Sequence, residues 1–348
     1  MRLLIVTQAV DQGHPVLGFF HEWLETFAAQ CEQVEVICLY EGEHTLPAHV
    51  RVHSLGKEGG IQHPVIYAVR FLQLVWQLRH AYDAVFVHMN PEYVVLAGWF
   101  WRLTRKRIGL WYLHKSVTLR LRVAIFFASV VFTASPKSMR VETPKKRVVG
   151  HGLPVHRLPL LPAPAMQEPI QLLTIGRLSP VKRVELLIGA LAHLPDTVQL
   201  SIVGGAAGPS GEAYEATLRE MVAELGLDAR VQFAGPQAPA ALAAWYERSH
   251  LFVHASDTGS LDKALLEALV RGVPVVTTNY ELAREVGEPL AFAASPVVRQ
   301  LAGKIEAALA ARAWQDPELR AMAHAYVEKR HNLNVLIPTM VETLDGNG

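Results

Sequence analysis

The 348-residue chain is short of the residues that staple, anchor or label a fold. It has two cysteines, Cys31 and Cys38, both among apolar neighbours. Two such thiols exclude a disulfide framework and suit a reducing compartment. No apolar run approaches the roughly 20 residues that a spanning helix needs; VAIFFA from Val123 and the following SVVF stop well short. The opening MRLLIVTQAV meets Asp11 at once and has no small-residue cleavage site, so it reads as a first buried strand. Nucleotide and hydrolase signatures are also missing. There is no Gly-x-x-x-x-Gly-Lys-Ser/Thr loop and no Gly-x-Ser-x-Gly elbow, and VGGAAGPSG misses the Gly-x-Gly-x-x-Gly spacing. No Asp-x-Asp pair occurs, which removes the usual carboxylate clamp for a metal-held diphosphate. His88, His114 and His151 lack any recognised zinc spacing. The expectation is therefore no metal and no cofactor.

What is present is a large apolar share, 51%, with 19% charged residues, as in a folded globular protein of about two domains. Short β-branched runs alternate with helical stretches. RLLIVTQ, VEVICLY, DAVFVHM, RIGLWYLH, VVFTAS and RVVGHG read as strands, with helices over 18–30, 64–82 and 91–104 between the early ones. Near-continuous apolar strands of this kind belong to parallel sheets covered on both faces. The prolines from Pro154 to Pro169 break the pattern and read as a semi-rigid linker. The alternation then restarts with IQLLTIGR, VQLSIVGG, VQFAG, LFVHAS, VPVVTT and PLAFAA. The expected organisation is α/β, with two doubly wound parallel-sheet domains over 1–160 and 161–330 facing a central cleft. A C-terminal helix over 331–348 is expected to pack back on the first domain.

Open α/β sheets bind ligands beyond the carboxyl ends of their strands, and polar residues gather there: His88 and Asn90, His114, Arg177 and Asp257. Arg177 and Lys182 lie on a loop that Pro180 keeps irregular, so both cations can converge on one diphosphate. The stretch TGSLDKALLEALVRGVPVV places Gly259, Ser260, Leu261, Asp262 and Lys263 before a helix that carries Glu267. A helix start suits a phosphate; equally, Ser260 or Asp262 could simply cap it.

In order, IGRLSPVKRVELLIGAL, LSIVGG, VQFAG, LAAWYERSHLFVHAS and LLEALVRGVPVVTT resemble the retaining glycosyltransferases of family 4, over roughly residues 170–290. The resemblance implies the GT-B fold and metal-independent transfer of a sugar from a nucleoside diphosphate to an acceptor hydroxyl, on a glycan or a lipid. It also implies site residues. Arg177 and Lys182 would hold the diphosphate, Glu267 the donor ribose, and His114 the sugar. Gly18 would mark the loop near the phosphates, although the family's glycine pair is missing. His88 and Asn90 fall on the acceptor side. Eight positions before Glu267, where the family's Glu-x7-Glu motif has its first glutamate, this chain has Gly259; Asp257 or Asp262 could supply a displaced carboxylate. That departure keeps two other readings open, a non-catalytic nucleotide-sugar-binding protein and a nucleotide-sugar epimerase of the same fold.

Charge is uneven. Residues 1–165 hold 18 Lys/Arg against 11 Asp/Glu, a balance of +7, and the remainder 15 against 21, or −6. Basic residues from Arg102 to Arg147 interleave with Trp99, Trp101 and Trp111. Such a surface suits either anionic lipid head groups or nucleic acid, unless the tryptophans fill the core. The resemblance, to a family many of whose members act on lipid-linked acceptors, implies contact of the first domain with an anionic membrane and no nucleic acid. The expected location is cytoplasmic, with peripheral contact on the inner membrane face.

Overall fold

The computed structural model describes every residue except Pro15, Ile61, Gln62, Lys115, Gln167, Ala207, residues 257–260, Asn347 and Gly348. Two compact units divide the chain: Met1–Pro154 with His331–Gly348, and Val155–Arg330.

The first unit is built on β1 (Arg2–Val10), β2 (Gln33–Glu41), β3 (Val50–Ser54), β4 (Ala84–His88), β5 (Arg107–Trp111), β6 (Val130–Thr133) and β7 (Lys146–Val148). They form one parallel sheet in the order β3-β2-β1-β4-β5-β6-β7. β1 is buried along most of its length because both its faces are covered. Leu3, Ile5 and Val34 point to the layer of α1 (Phe20–Gln30), whereas Leu4, Val6 and Val85 point to α2 (Pro64–Gln77), α3 (Pro91–Leu103) and α4 (Leu119–Phe127). Proline opens α2 and α3 at the position where its missing N–H costs nothing. Thr118 caps α4, its hydroxyl accepting from Leu121 N at 3.1 Å.

The second unit contains β8 (Ile170–Ile175), α5 (Val184–Leu191), β9 (Val198–Val203), α6 (Gly208–Glu224), β10 (Val231–Gly235), α7 (Leu242–Glu247), β11 (Leu251–His254), α8 (Lys263–Val270), β12 (Val275–Thr277), α9 (Tyr280–Val286), β13 (Ala291–Ala293), α10 (Val298–Ala311) and α11 (Pro317–His331). Its parallel sheet runs β10-β9-β8-β11-β12-β13. This is the doubly wound order, reversing direction between β8 and β11. Leu172, Leu200, Leu251 and Val253 pack under α5, α6 and α10. On the opposite face Phe252 stacks on Tyr246 of α7 at 6.0 Å between ring centroids.

The final helix, α12 (Leu333–Asp345), packs in the first unit beside α1, with Leu336, Ile337, Met340 and Leu344 in its core. The proline-rich segment is not a free spacer. Arg320 donates to Leu161 O at 2.5 Å and to Gly272 O at 3.1 Å, and the His250 ring meets Ala165 O at 3.1 Å, so the segment is tied along the second unit. Prolines removed its helical and strand options, and side-chain donors from distant elements then fixed its course. In the first unit β3 and α4 have no counterpart among the sequence-based elements, and in the second α9, α10 and α11 have none. Strand β3 is half-exposed at the sheet edge, and two arginines interrupt the apolar pattern of α4.

Candidate functional site

In the second unit the reversal between β8 and β11 leaves a gap at their carboxyl ends, and the loops that follow both strands meet there. Gly204, after β9, sits so close to this loop that an added Cβ would lie 2.0 Å from Gly176 O; its φ of +133° also demands glycine. The two glycines let the loop after β8 run against β9, with Leu178 N donating to Gly205 O at 3.0 Å. The loop then closes in a 3₁₀ turn, Pro180–Lys182. A small pocket results, lined by Gly176, Arg177, Lys182, Val203 and His254 among others.

Arg177 projects into solvent, and among the described residues none pairs with its guanidinium. Lys182 is different: its ammonium is bonded to the Asp262 carboxylate. The same carboxylate oxygen accepts from His254 Nε2 at 3.3 Å, while His254 Nδ1 lies 3.0 Å from Thr277 Oγ1. An ionised carboxylate can only accept, which places a proton on Nε2. Burial alone would raise the Asp262 pKa. The His254 hydrogen bond and the Lys182 charge outweigh it and hold the carboxyl well below the usual aspartate range. Asp262 stands at the N-cap of α8, yet its side chain makes no capping bond. The capping expectation for this residue is thereby corrected: a half-buried cation and a buried imidazole bind its carboxylate more strongly than a helix amide would.

Glu267 lies one turn into α8 and half-buried. Tyr246 Oη donates to it at 3.3 Å, and Arg271 of the same helix reaches its main-chain oxygen at 3.4 Å. Burial pushes its carboxyl upward against the opposing charges of Arg271 and Lys263. Leu261 is buried and Lys263 half-exposed. Gly259, Ser260 and Asp257 lie outside the described residues.

In the first unit the sheet reverses between β1 and β4, and polar residues again gather beyond the strand ends. Gln8 Nε2 donates to Asn90 Oδ1 at 2.8 Å, and Asn90 Nδ2 to His88 O at 3.1 Å. His88 itself is buried, stacked on Phe20 with ring centroids 4.1 Å apart and bonded through Nδ1 to Thr7 Oγ1 at 3.3 Å. His114, beyond β5, is exposed and edge-on to Tyr112 at 5.6 Å. Gly18 lies in a loop so tight that a Cβ would meet Gln12 O at 2.7 Å and His14 O at 2.9 Å. His14 Nδ1 braces that loop by accepting from Leu17 N at 3.0 Å. The sequence reading missed His254 and Thr277. The alternation placed them at strand ends, but only the pairing of β11 with β12 put them side by side.

The basic cluster divides. Arg102, Arg105 and Arg122 are exposed. Lys106 instead bonds Tyr82 O and sits over the Tyr82 ring at 4.5 Å, and Lys145 donates to Ile125 O and Phe126 O at the end of α4. Those two lysines serve the fold, because each finds unpaired carbonyls within reach of its long stem. Trp101 and Trp111 fill the core; Trp99 is 56% exposed.

Residues 163–330 match the family model for glycosyl transferases group 1. The match covers a little under half of the chain. Among curated proteins, a D-inositol 3-phosphate glycosyltransferase of Corynebacterium efficiens is 36% identical over 124 residues, which is 34% of this chain and 28% of that protein. The chain thus spans less than a third of the length of the curated relatives it matches first. Over the whole chain the likeness is structural. Anabaena HepE, solved in complex with UDP, superposes with a TM-score of 0.77 at 22% identity, covering 99% of this chain and all of that one. Sucrose-phosphate synthase of Thermosynechococcus elongatus gives 0.73 at 19%, covering 99% and 98%. The matched segment is accordingly the second Rossmann-like domain of a GT-B fold, and the first unit supplies the other.

Proposed function

We propose that the chain transfers a sugar from a nucleoside-diphosphate donor to an acceptor hydroxyl, on a glycan or a lipid, with retained configuration and without a metal. The observation that carries this reading is the delivery of Arg177 and Lys182 to the β8–β11 switch point beside the start of α8, within a group 1 segment. Bond breaking at the anomeric carbon leaves both electrons and a full charge on the departing phosphate. Fixed cations and helix amides stabilise that charge without reorganising. Arg177 is available as it stands, and Lys182 becomes available once a phosphate displaces Asp262. Retention follows if the acceptor attacks the face the phosphate leaves, its proton passing to a phosphate oxygen. His114, exposed beyond β5, is the group we assign to orienting the sugar. Glu267 is assigned to the donor ribose, with Tyr246 fixing its direction.

A second reading, a protein that binds nucleotide sugars without turning them over, is favoured by one feature: the internal neutralisation of Lys182. A panel of nucleotide sugars with soluble and lipid-linked acceptors separates the two. Transfer to any acceptor supports the proposal. Donor binding with neither transfer nor conversion overturns it, and conversion of the donor alone points to epimerisation.

A further inference from the structure

Helix α2 offers more apolar surface to water than a soluble helix ordinarily does. Its inner side buries Phe71 and Val75. Its outer side carries Val65, Val69, Leu72 and Trp76, spaced four, three and four residues apart and therefore on one stripe. All four are exposed, Val65 by 62% and Trp76 by 58%. Arg70 is the one charge in Pro64–Gln77, and the polar Arg70, Gln73 and Gln77 fall on a separate stripe, so the Val65–Trp76 stripe is wholly apolar and exposed, a pattern that asks for a covering surface.

The neighbouring helices extend the face. Trp76 touches Phe100 of α3 at 5.7 Å between centroids, and Phe100 touches the exposed Trp99 at 5.9 Å. Leu103 is 75% and Phe126 of α4 72% exposed. Phe127 packs so tightly on Gly98 that a Cβ there would lie 2.7 Å from it, which locks α4 to α3. Charge then selects the occupant. Tyr93–Val141 contains nine Lys/Arg and no Asp or Glu, and 59–82 contains Arg70 and Arg79 and likewise no acid. Arg79 lies over the Trp76 ring at 4.5 Å, and Arg102, Arg105 and Arg122 are exposed beside the apolar residues. Two copies of such a face would repel each other. A helix of 14 residues extends about 21 Å at 1.5 Å per residue, too short to cross a bilayer but suited to lying in its surface.

We infer that the α2–α3–α4 face docks on an anionic lipid bilayer, with the Val65–Val69–Leu72–Trp76 stripe set among the acyl chains and the arginines at the headgroups. Tryptophan belongs at that boundary, and long basic side chains reach it from a helix below. The inference goes beyond the sugar-transfer reading and stands or falls apart from it, since docking is measured without donor or acceptor.

The test is flotation of the full chain with vesicles of phosphatidylglycerol and phosphatidylcholine, or of phosphatidylcholine alone, at low and high salt. Wild type should float with the anionic vesicles and lose most binding in high salt. Arg102→Gln with Arg105→Gln should weaken binding about tenfold, each charge being worth several-fold near an anionic surface. Val69→Ser with Trp76→Ser should abolish flotation while leaving the circular dichroism spectrum unchanged. Trp76→Phe with Trp99→Phe should still float but lose much of the fluorescence quenching by brominated acyl chains. Binding to neither vesicle, equal binding to both, indifference to the Val69/Trp76 pair, or a wild-type dimer that this pair converts to monomer would each overturn the inference.

Discussion

The Lys182 ammonium and the Asp262 carboxylate are bonded to each other, eighty residues apart in sequence, and the proposed diphosphate site would need that lysine free. An approaching donor therefore meets Arg177 and a neutral pair. Asp262→Asn should release the lysine and tighten the binding of UDP by about tenfold, roughly 1.4 kcal/mol for one partly screened charge. Calorimetric titration measures this directly; an unchanged dissociation constant would show that Asp262 does not compete with phosphate.

The cations themselves should matter more to turnover than to acceptor affinity, because charge accumulates on the leaving phosphate. Arg177→Ala and Lys182→Ala should each lower kcat about a hundredfold, by analogy with the loss of one oxyanion donor. Activity should also survive EDTA. Rates near wild type in both variants, or activity that disappears in chelator and returns with manganese, would remove this mechanism.

Asp262 also sets a pH dependence. Its folded pKa is depressed, so its contribution to stability is complete above the unfolded value of about 3.9 and is lost as pH falls through the lower folded value. Wild type should therefore exceed Asp262→Asn in denaturant midpoint at pH 7, and the gap should narrow progressively below about pH 4. A gap that is constant down to pH 2 would mean the carboxylate charge is not what Lys182 and His254 recognise.

Both thiols should be inert in the native state. Burial, first of all, pushes Cys31 up to about 11 and Cys38 to about 12. Since the thiolate is the reactive form, neither should react appreciably with Ellman's reagent at pH 8, and both should react once the chain is unfolded in guanidinium. Fast labelling of the folded protein would contradict their burial.

Two glycines separate steric clash from backbone conformation. Gly226 has a φ of +65° and open space around it, so Gly226→Ala should cost about 1 kcal/mol. Gly204→Ala drives a methyl onto Gly176 O and should cost about 3 kcal/mol or more, disturbing the loop that carries Arg177. Equal midpoint shifts in chemical denaturation would show that the β8–β9 approach is not tight.

The sequence by itself determined the alternation of apolar strands and amphipathic helices, and with it two doubly wound sheets. In a parallel sheet covered by helices the inner strands are buried on both faces and must show that burial in their composition, whereas an edge strand such as β3 need not. It also determined which polar residues follow strands, because loops begin where apolar runs end. Those are local properties. Partnership across the sheet is not. Asp262 reads as a helix cap until the crossover sets β8 beside β11 and brings Lys182 and His254 to its carboxylate. His88 reads as a site residue at a strand end; packing against α1 stacks it on Phe20 and buries it. Trp99 and Trp101 are two residues apart on one helix and indistinguishable by composition, yet one faces solvent and the other Tyr82. Helix α2 carries two apolar stripes, one with Phe71 and Val75 and one with Val65, Val69, Leu72 and Trp76, so composition alone does not tell which of them faces inward. Only the position of the sheet beneath it decided which stripe was left uncovered.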